Sequence, residues 1–315
     1  MHFGEIEVRY LDGGSFGLDG GAMFGVVPKP LWEKVSPPDE KNRIRMRANS
    51  LLVRAAGKTI VVETGNGTKW DAKQRAIYAV QEGDPLIAAL RKAGVQPDEV
   101  DIVINTHLHF DHAGGNTHIN GNRAVPTYRR ARYMVQRKEL EHARNPTDRD
   151  RASYFPENFQ PIAEAGQWEL IEGDGEILPG ISVERVPGHN ADMQAVKIVG
   201  GGPSKLPSKI PSKIGASGAS EASPSGLPSK IGASGASKKL AFVADLLPTR
   251  HHIPLPWIMA YDLYPLQTLE TKRKWVPRLV NEGWITVFGH DPDFAAATLH
   301  QRDDKIEIEP VDLNR

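Results

Sequence analysis

The chain has 315 residues, with 39 basic and 39 acidic side chains and a formal net charge of zero. That balance sets up no long-range field for nucleic acid or an anionic membrane. It contains no cysteine, which excludes a disulfide framework, a thiolate nucleophile and a cysteine-ligated metal, so any metal centre must be built from histidine and carboxylate. Apolar residues make up 39% and charged residues 25%, the balance of a soluble chain long enough for one large core. Residues 1–7 lack a basic segment followed by an apolar one, and no apolar run is long enough to cross a bilayer. A cytoplasmic protein without a membrane partner is expected.

Residues 6–11 alternate Ile, Val and Tyr with charged residues, as a half-buried strand does. Residues 12–25 are glycine-rich and carry Phe16, Met23 and Phe24. They read as a surface loop or, functionally, as a mobile wall that lays Phe16 and Phe24 over a substrate pocket. Residues 48–55 and 58–63 are apolar runs joined at Ala56-Gly57, a hairpin pattern, and Thr64-Gly65-Asn66-Gly67 then turns the chain. Asp84-Pro85 opens a helix as N-cap and first-turn proline. Leu86, Ile87, Ala89 and Leu90 form its apolar face, and Gly94 ends it.

The buried-strand pattern of residues 100–105 then delivers Thr106-His107-Leu108-His109-Phe110-Asp111-His112-Ala113-Gly114-Gly115. Three histidines and one carboxylate fall within six positions, residue types that suit zinc and related divalent ions. The two glycines allow a turn close to whatever these side chains hold.

Further on, residues 132–136 read as a strand, and 137–144 and 158–165 as helices. The nearby Arg129, Arg130, Arg132, Arg137, Lys138 and Arg144 read as a solvated face. Residues 168–171, 181–186, 195–199, 240–244 and 284–288 are strand-like. Strands and helices ordered twice along the chain predict a layered α/β domain. Residues 203–237 break the pattern. The decapeptide Pro-Ser-Lys-Ile-Gly-Ala-Ser-Gly-Ala-Ser occurs at 211–220 and again at 228–237, a composition that cannot offset the entropy of ordering. The chain thus reads as one domain, 1–315, interrupted by an expanded, disordered hairpin loop.

Three strand ends supply further ligand types: His189 after Val186-Pro187-Gly188, Asp245 after 240–244, and His290 after Gly289. Singly each reads as a loop residue. With the histidine cluster they complete a ligand set for two ions. On this order of motifs the chain resembles the metallo-β-lactamase-fold hydrolase superfamily over nearly its whole length, apart from the insert.

The resemblance implies an αββα sandwich, two mixed β-sheets flanked by helices, with two divalent ions at one edge. Zinc is the first expectation, and manganese, cobalt or iron suit the same ligands. One ion would be held by His107, His109 and His189 and the other by Asp111, His112 and His290, with Asp245 bridging and a water or hydroxide between them. Asp111 would also carry the leaving-group proton. Glu63-Thr64-Gly65 stands where the family commonly has Asp-Thr-Gly. Glu63 either orients a ligand histidine or ends its strand facing solvent. Residues 190–194 depart from the usual turn after His189.

Residues 107–116 and 171–189 are very similar to N-acyl homoserine lactone lactonases. Residues 245–262 look like the YtnP-type quorum-quenching branch and echo methyl-parathion-hydrolase-like enzymes. Some lactonases carry a tyrosine where this chain has Pro248, and Tyr261 is the candidate to replace it. Trp257, Tyr261 and Tyr264 are candidates for a pocket wall or for core aromatics. His251 and His252 read as loop or rim residues. The expected reaction is opening of a small-molecule lactone, or cleavage of an ester, by metal-bound hydroxide. Phosphotriester hydrolysis at the same site is the alternative. A non-catalytic metal-binding module whose insert recruits a partner is a remote third. A homodimer is left open.

Overall fold

Fourteen of the strands form two facing sheets that come from successive parts of the chain. The computed structural model describes residues 1–201 and 238–315, so the insert at 203–237 lies outside the described residues. The first part runs β1 (His2–Phe3), β2 (Ile6–Asp19), α1 (Gly20–Phe24), α2 (Lys29–Trp32), β3 (Arg43–Ala55), β4 (Lys58–Val62), α3 (Ala72–Tyr78), α4 (Pro85–Lys92) and β5 (Ile102–Ile104). It continues with α5 (Phe110–Ala113), β6 (Thr117–Asn120), β7 (Arg123–Pro126), β8 (Arg132–Gln136), α6 (Arg137–Arg144), α7 (Gln160–Glu164) and β9 (Trp168–Ile171). The second part runs β10 (Gly175–Leu178), β11 (Ile181–Arg185), β12 (Gln194–Val199), β13 (Lys239–Phe242), α8 (Pro265–Asn281), β14 (Ile285–Val287), β15 (Ala296–Arg302) and β16 (Lys305–Val311).

The first sheet has the order β1-β2-β3-β4-β5-β8-β9 and the second β10 to β16 in sequence, while β6 and β7 form a separate ribbon. Both are mixed. β4, β5, β8 and β9 pair in parallel, as do β13 and β14. Among the described residues no helix is long and apolar enough to cross a membrane.

Alternation along the central strands explains the layers. Leu51, Val53, Ile60, Val62, Ile102 and Ile104 bury themselves against Val183, Val196, Ile198, Phe242 and Val287 of the second sheet. Their neighbours Leu52, Val61 and Val103 point the other way and pack with Leu86, Ile87 and Leu90 of α4. Strands covered on both faces lose the polar half of the pattern, which is why 102–104 reads as an unbroken apolar run. Trp275, Val276 and Leu279 bring α8 onto the second sheet, completing the αββα order.

The local signals for the hairpin and for α4 hold in detail. Ala55 pairs with Lys58 across Ala56 and Gly57, both at positive φ (50° and 72°), as a two-residue hairpin turn of the primed kind requires. The Asp84 carboxylate accepts from Ile87 N at the head of α4, a cap worth about 1 kcal/mol.

Residues 12–25 correct the sequence reading. They are not a loop. β2 continues to Asp19 alongside β3, with a bulge between Asp12 and Ser15, and Asp19 then caps α1 by accepting from Ala22 N. Glycine is there for close approach, since a Cβ on Gly13 would lie 2.5 Å from Ala48 O. The 17-residue α8 and the β15–β16 hairpin are additions to the sequence reading. Pro265, Pro277 and a run of charged residues conceal the helix.

The loop after β14 stitches the two sheets together. Asn49 N donates to Gly289 O (2.8 Å) and Arg47 N to His290 O (3.2 Å). The Asn49 Nδ2 amide donates to Phe288 O and Asp291 O at 2.9 and 3.0 Å. β3 of one sheet therefore holds the strand end of the other at the edge where the site forms.

Candidate metal centre

β5 ends at Ile104, and the next residues turn into the one-turn helix α5, so the histidine motif sits at a strand end on a rigid base. Gly114 and Gly115 make the turn fit. A Cβ on Gly114 would lie 2.2 Å from Asn66 O, and one on Gly115 would lie 2.3 Å from Thr64 O. Thr64 N in turn donates to His112 O at 2.8 Å.

The candidate ligand atoms fall into two groups. His107 Nε2 and His189 Nε2 lie 3.1 and 3.0 Å from His109 Nδ1. His112 Nε2 and His290 Nε2 are 2.9 Å apart. Asp111 Oδ2 lies 3.5 Å from His290 Nε2, and its Oδ1 lies 3.9 Å from His112 Nε2. Asp245 divides its oxygens between them. Oδ2 is 3.3 Å from His189 Nε2 and 3.9 Å from His107 Nε2. Oδ1 is 3.1 Å from His290 Nε2 and 3.4 Å from His112 Nε2. The structure thus brings together all seven side chains singled out from the sequence, and all are buried.

These groups suit metal ions. Ligand nitrogens about 2.0–2.1 Å from a tetrahedral ion stand roughly 3.3 Å from one another, close to the spacing seen. Converging imidazole nitrogens can share one proton per pair at most, and Asp245 Oδ1 is buried without a hydrogen-bond donor among the described residues. Cations answer both deficits. Histidine and carboxylate donors select zinc or a related divalent ion.

Four of the five far ring nitrogens are fixed as well, while His109 Nε2 is buried without a partner among the described residues. His107 Nδ1 shares a hydrogen bond with Thr106 Oγ1 at 3.0 Å, His189 Nδ1 donates to Asp262 Oδ1 at 2.9 Å, and His290 Nδ1 donates to Arg47 O at 3.1 Å. His112 Nδ1 donates to Glu63 Oε2. Such partners set the tautomer and aim the ring. The solvent-facing reading of Glu63 is thereby corrected. It is buried, it also accepts from Thr106 N, and it holds φ at +64°, a left-handed conformation that non-glycine residues seldom adopt.

Asp262 and Glu139 are additions from the structure. Asp262 Oδ2 accepts from Thr268 Oγ1 at 2.7 Å, which clamps the partner of His189. Glu139 Oε1, from α6, accepts from Leu108 N at 2.8 Å and from Tyr154 Oη at 3.0 Å. Neither follows from ligand spacing, since each partners a residue remote in sequence.

Charge within the site is uneven. Burial opposes a charged His112, but Asp245, Asp111 and Glu63 outweigh it and raise its pKa well above the ordinary histidine value. His189 is raised in the same way by Asp245 and Asp262 against burial. Burial, and then neighbouring imidazoles, hold His107 and His109 well below it. Asp245 is buried too, yet the surrounding histidines keep its carboxyl well below the carboxylate range.

The aromatic candidates separate. Phe16 is buried and meets the His290 ring edge-on at 5.5 Å. Phe24 is fully buried, stacked on Trp32 and His252, with Trp257 edge-on to it. It belongs to the core, stacked between aromatic neighbours. Tyr264 stands exposed at the head of α8. Tyr261 lines an open cleft of about 500 Å³ together with Leu18, Ile77 and Tyr78. His252 is a satisfied core histidine bonded to Thr249 Oγ1 and Met23 O at 2.8 and 2.9 Å, and His251 is half-buried.

Residues 43–202 match the model of the metallo-beta-lactamase superfamily. The chain belongs to that superfamily. Among curated relatives, the N-acyl homoserine lactonase AiiA of Bacillus thuringiensis subsp. kurstaki is 33% identical over 117 residues, which is 37% of this chain and 40% of AiiA. The chain therefore spans about two fifths of that relative's length. Among solved structures, a "probable metal-dependent hydrolase" from Staphylococcus aureus aligns over 99% of both chains, with 27% identity and a TM-score of 0.81. The dizinc quorum-quenching lactonase AidC shares the fold, with a TM-score of 0.72 and 17% identity over 99% of this chain and 96% of its own.

Proposed function

We propose that this chain is a two-metal hydrolase that opens lactone rings, with N-acyl homoserine lactones as the leading substrate class. The observation that carries the reading is the division of Asp245, one oxygen toward His107 and His189 and the other toward His112 and His290. The lactonase names borne by the relatives support the choice of substrate. His107, His109 and His189 would hold one ion and Asp111, His112 and His290 the other, with Asp245 within reach of both groups. Zinc is the metal of first choice. When bound, such a pair supplies Lewis acidity toward a carbonyl oxygen and an acidified water.

The chain's own groups do the rest. Thr106, Glu63, Asp262 and the Arg47 carbonyl keep four rings aimed. In the overall hydrolysis the water oxygen bonds to the acyl carbon, the ring C–O bond breaks, and one water proton ends on the departing alkoxide. Asp111 keeps a slightly exposed carboxylate between His112 and His290, and we assign it that proton. Tyr261 is assigned to substrate contact rather than proton transfer. Burial first, then Asp19, Tyr78 and Asp111, raise its phenol above the ordinary range, so it keeps its proton.

The test is a metal-defined assay across N-hexanoyl homoserine lactone, aryl esters and aryl phosphotriesters. Lactone opening should vanish with a chelator and return with zinc or manganese. Fast phosphotriester turnover with negligible lactone opening would overturn the reading in favour of phosphoryl chemistry. An Asp111→Asn enzyme that kept both metals and its full rate would remove Asp111 from proton transfer.

A further inference from the structure

We propose that the cleft beside the Asp111–His290 end of the metal centre seats the non-reacting half of an anionic amphipathic substrate, an apolar chain ending in a carboxylate that meets Lys41 and Lys73. The inference deepens the proposed lactone reading and rests on it for the identity of the reacting half.

The walls of the cleft pack against residues that adjoin the centre. Tyr78 packs its ring at 5.0 Å on Phe110, the residue between His109 and Asp111. Gly17, which also lines the cleft, follows Phe16, whose ring meets His290. Tyr78 also lies within the field of Asp111, which adds to burial in raising its phenol pKa. The cleft therefore lies near the slightly exposed carboxylate of Asp111. About 500 Å³ is within the usual range for a small-molecule site.

The lining is mostly apolar, through Leu18, Ile77, Tyr78 and Tyr261, and the charges that remain differ in availability. Arg43 is committed. Its guanidinium binds Asp39 Oδ2 at 2.7 Å through Nε, and through Nη1 it donates to the carbonyls of Ala76 and Ile77 at 2.8 and 3.1 Å. Asp19 is committed as well, accepting from Ala22 N and Asn42 Nδ2, both at 2.8 Å. Lys41 and Lys73 are exposed, and neither side chain makes an ion pair or hydrogen bond among the described residues. With Arg43 paired to Asp39 and Asp19 held only by neutral N–H donors, Lys41 and Lys73 still leave the lining one positive charge in excess among the described residues (two cations against one anion), which complements a ligand with an apolar body and an anionic end. A neutral acyl chain would use the wall and leave the rim without a partner, and a cationic one would be repelled.

A matched pair of substrates reads the rim. N-hexanoyl homoserine lactone and N-(5-carboxypentanoyl) homoserine lactone share a six-carbon acyl chain and differ by the terminal carboxylate. With metal-loaded full-length protein, kcat/KM should favour the carboxylated lactone, and that preference should shrink as salt rises. In the Lys41→Glu/Lys73→Glu double variant the ratio of the two kcat/KM values should fall by about fivefold or more, mainly through KM, and in Lys41→Gln/Lys73→Gln by less. A ratio that stays the same in both variants overturns the proposal. Direct binding of octane-1-sulfonate, whose head group is a poor metal ligand, separates the two readings. If the wild-type protein opens neither lactone, the lactonase reading fails. The cleft assignment still stands if the sulfonate binds the wild-type protein more tightly than the Glu variant, and it falls if both bind equally.

Discussion

A carboxylate with two oxygens can serve two ions only if something holds its plane still, and the same holds for each imidazole. At the scale of single residues the centre depends on such holders as much as on its ligands. Asp262 fixes His189 and is itself fixed by Thr268. Asp262→Ala should weaken metal retention or activity by roughly 10–100-fold, measured by competition with a chromophoric chelator, while Asp262→Asn should recover part of the loss. Glu139 gives a pH test. Burial pushes its carboxyl up from 4.5 to about 7, so the folded state binds more protons than the unfolded one between those values. Its contribution to stability is present at and below pH 4.5 and is lost as pH rises through about 7. The group should account for on the order of 3 kcal/mol of that decline in the metal-free protein. Glu139→Gln should flatten denaturation midpoints over the same interval. The seven ligand candidates were legible in the sequence because ligand chemistry restricts residue type. Asp262 and Glu139 were not, because a partner that only accepts a hydrogen bond need be neither near its donor in sequence nor confined to one spacing.

At the scale of elements, Lys272 shows how α8 takes part without carrying a ligand. Its side chain is buried, and Nζ donates to Pro254 O and Trp257 O at 2.8 Å and to Leu255 O at 3.3 Å. This ties the helix to the loop that goes on to Tyr261 and Asp262. Lys272→Met keeps the length of the side chain and removes the donor, and it should cost about 1–3 kcal/mol. The denaturant midpoint should drop with little change in slope, and metal retention should fall alongside because Asp262 loses its support. The hairpin at Ala56-Gly57, α4, β8 and α6 could be read locally, since their turn, cap and periodicity signals agree with their tertiary setting. β2 could not be read beyond Leu11. Its Gly13 looks like a loop glycine until the Ala48 carbonyl is seen to occupy the place where a Cβ would be.

At the scale of the whole molecule, the ligands come from both sheets. His107, His109, Asp111 and His112 follow β5 of the first sheet, while His189, Asp245 and His290 follow β11, β13 and β14 of the second. Metal bound there would therefore cross-link the layers, and its removal should loosen the whole fold rather than one loop. With free metal at 100 times its dissociation constant, the metal-loaded protein should be about 2.7 kcal/mol more stable than the chelated one. This would read as a higher thermal midpoint, with a single transition retained. A midpoint indifferent to chelation would show that the ligands do not hold metal across the layers.

Residue order alone determined the superfamily, the layered α/β class and the seven candidate ligands, because each is written in local chemistry: the alternation of buried strands, the turn residues, and histidines and carboxylates placed at strand ends. Tertiary structure alone decided the rest. It assigned the second carboxylate oxygen of Asp245, turned Glu63 inward, and moved Phe24 from pocket to core. Among the described residues it also left Lys41 and Lys73 without side-chain partners at the mouth of a cleft. These outcomes depend on which groups meet across the two sheets, and such meetings join residues that lie far apart along the chain, where local pattern carries no information about distance.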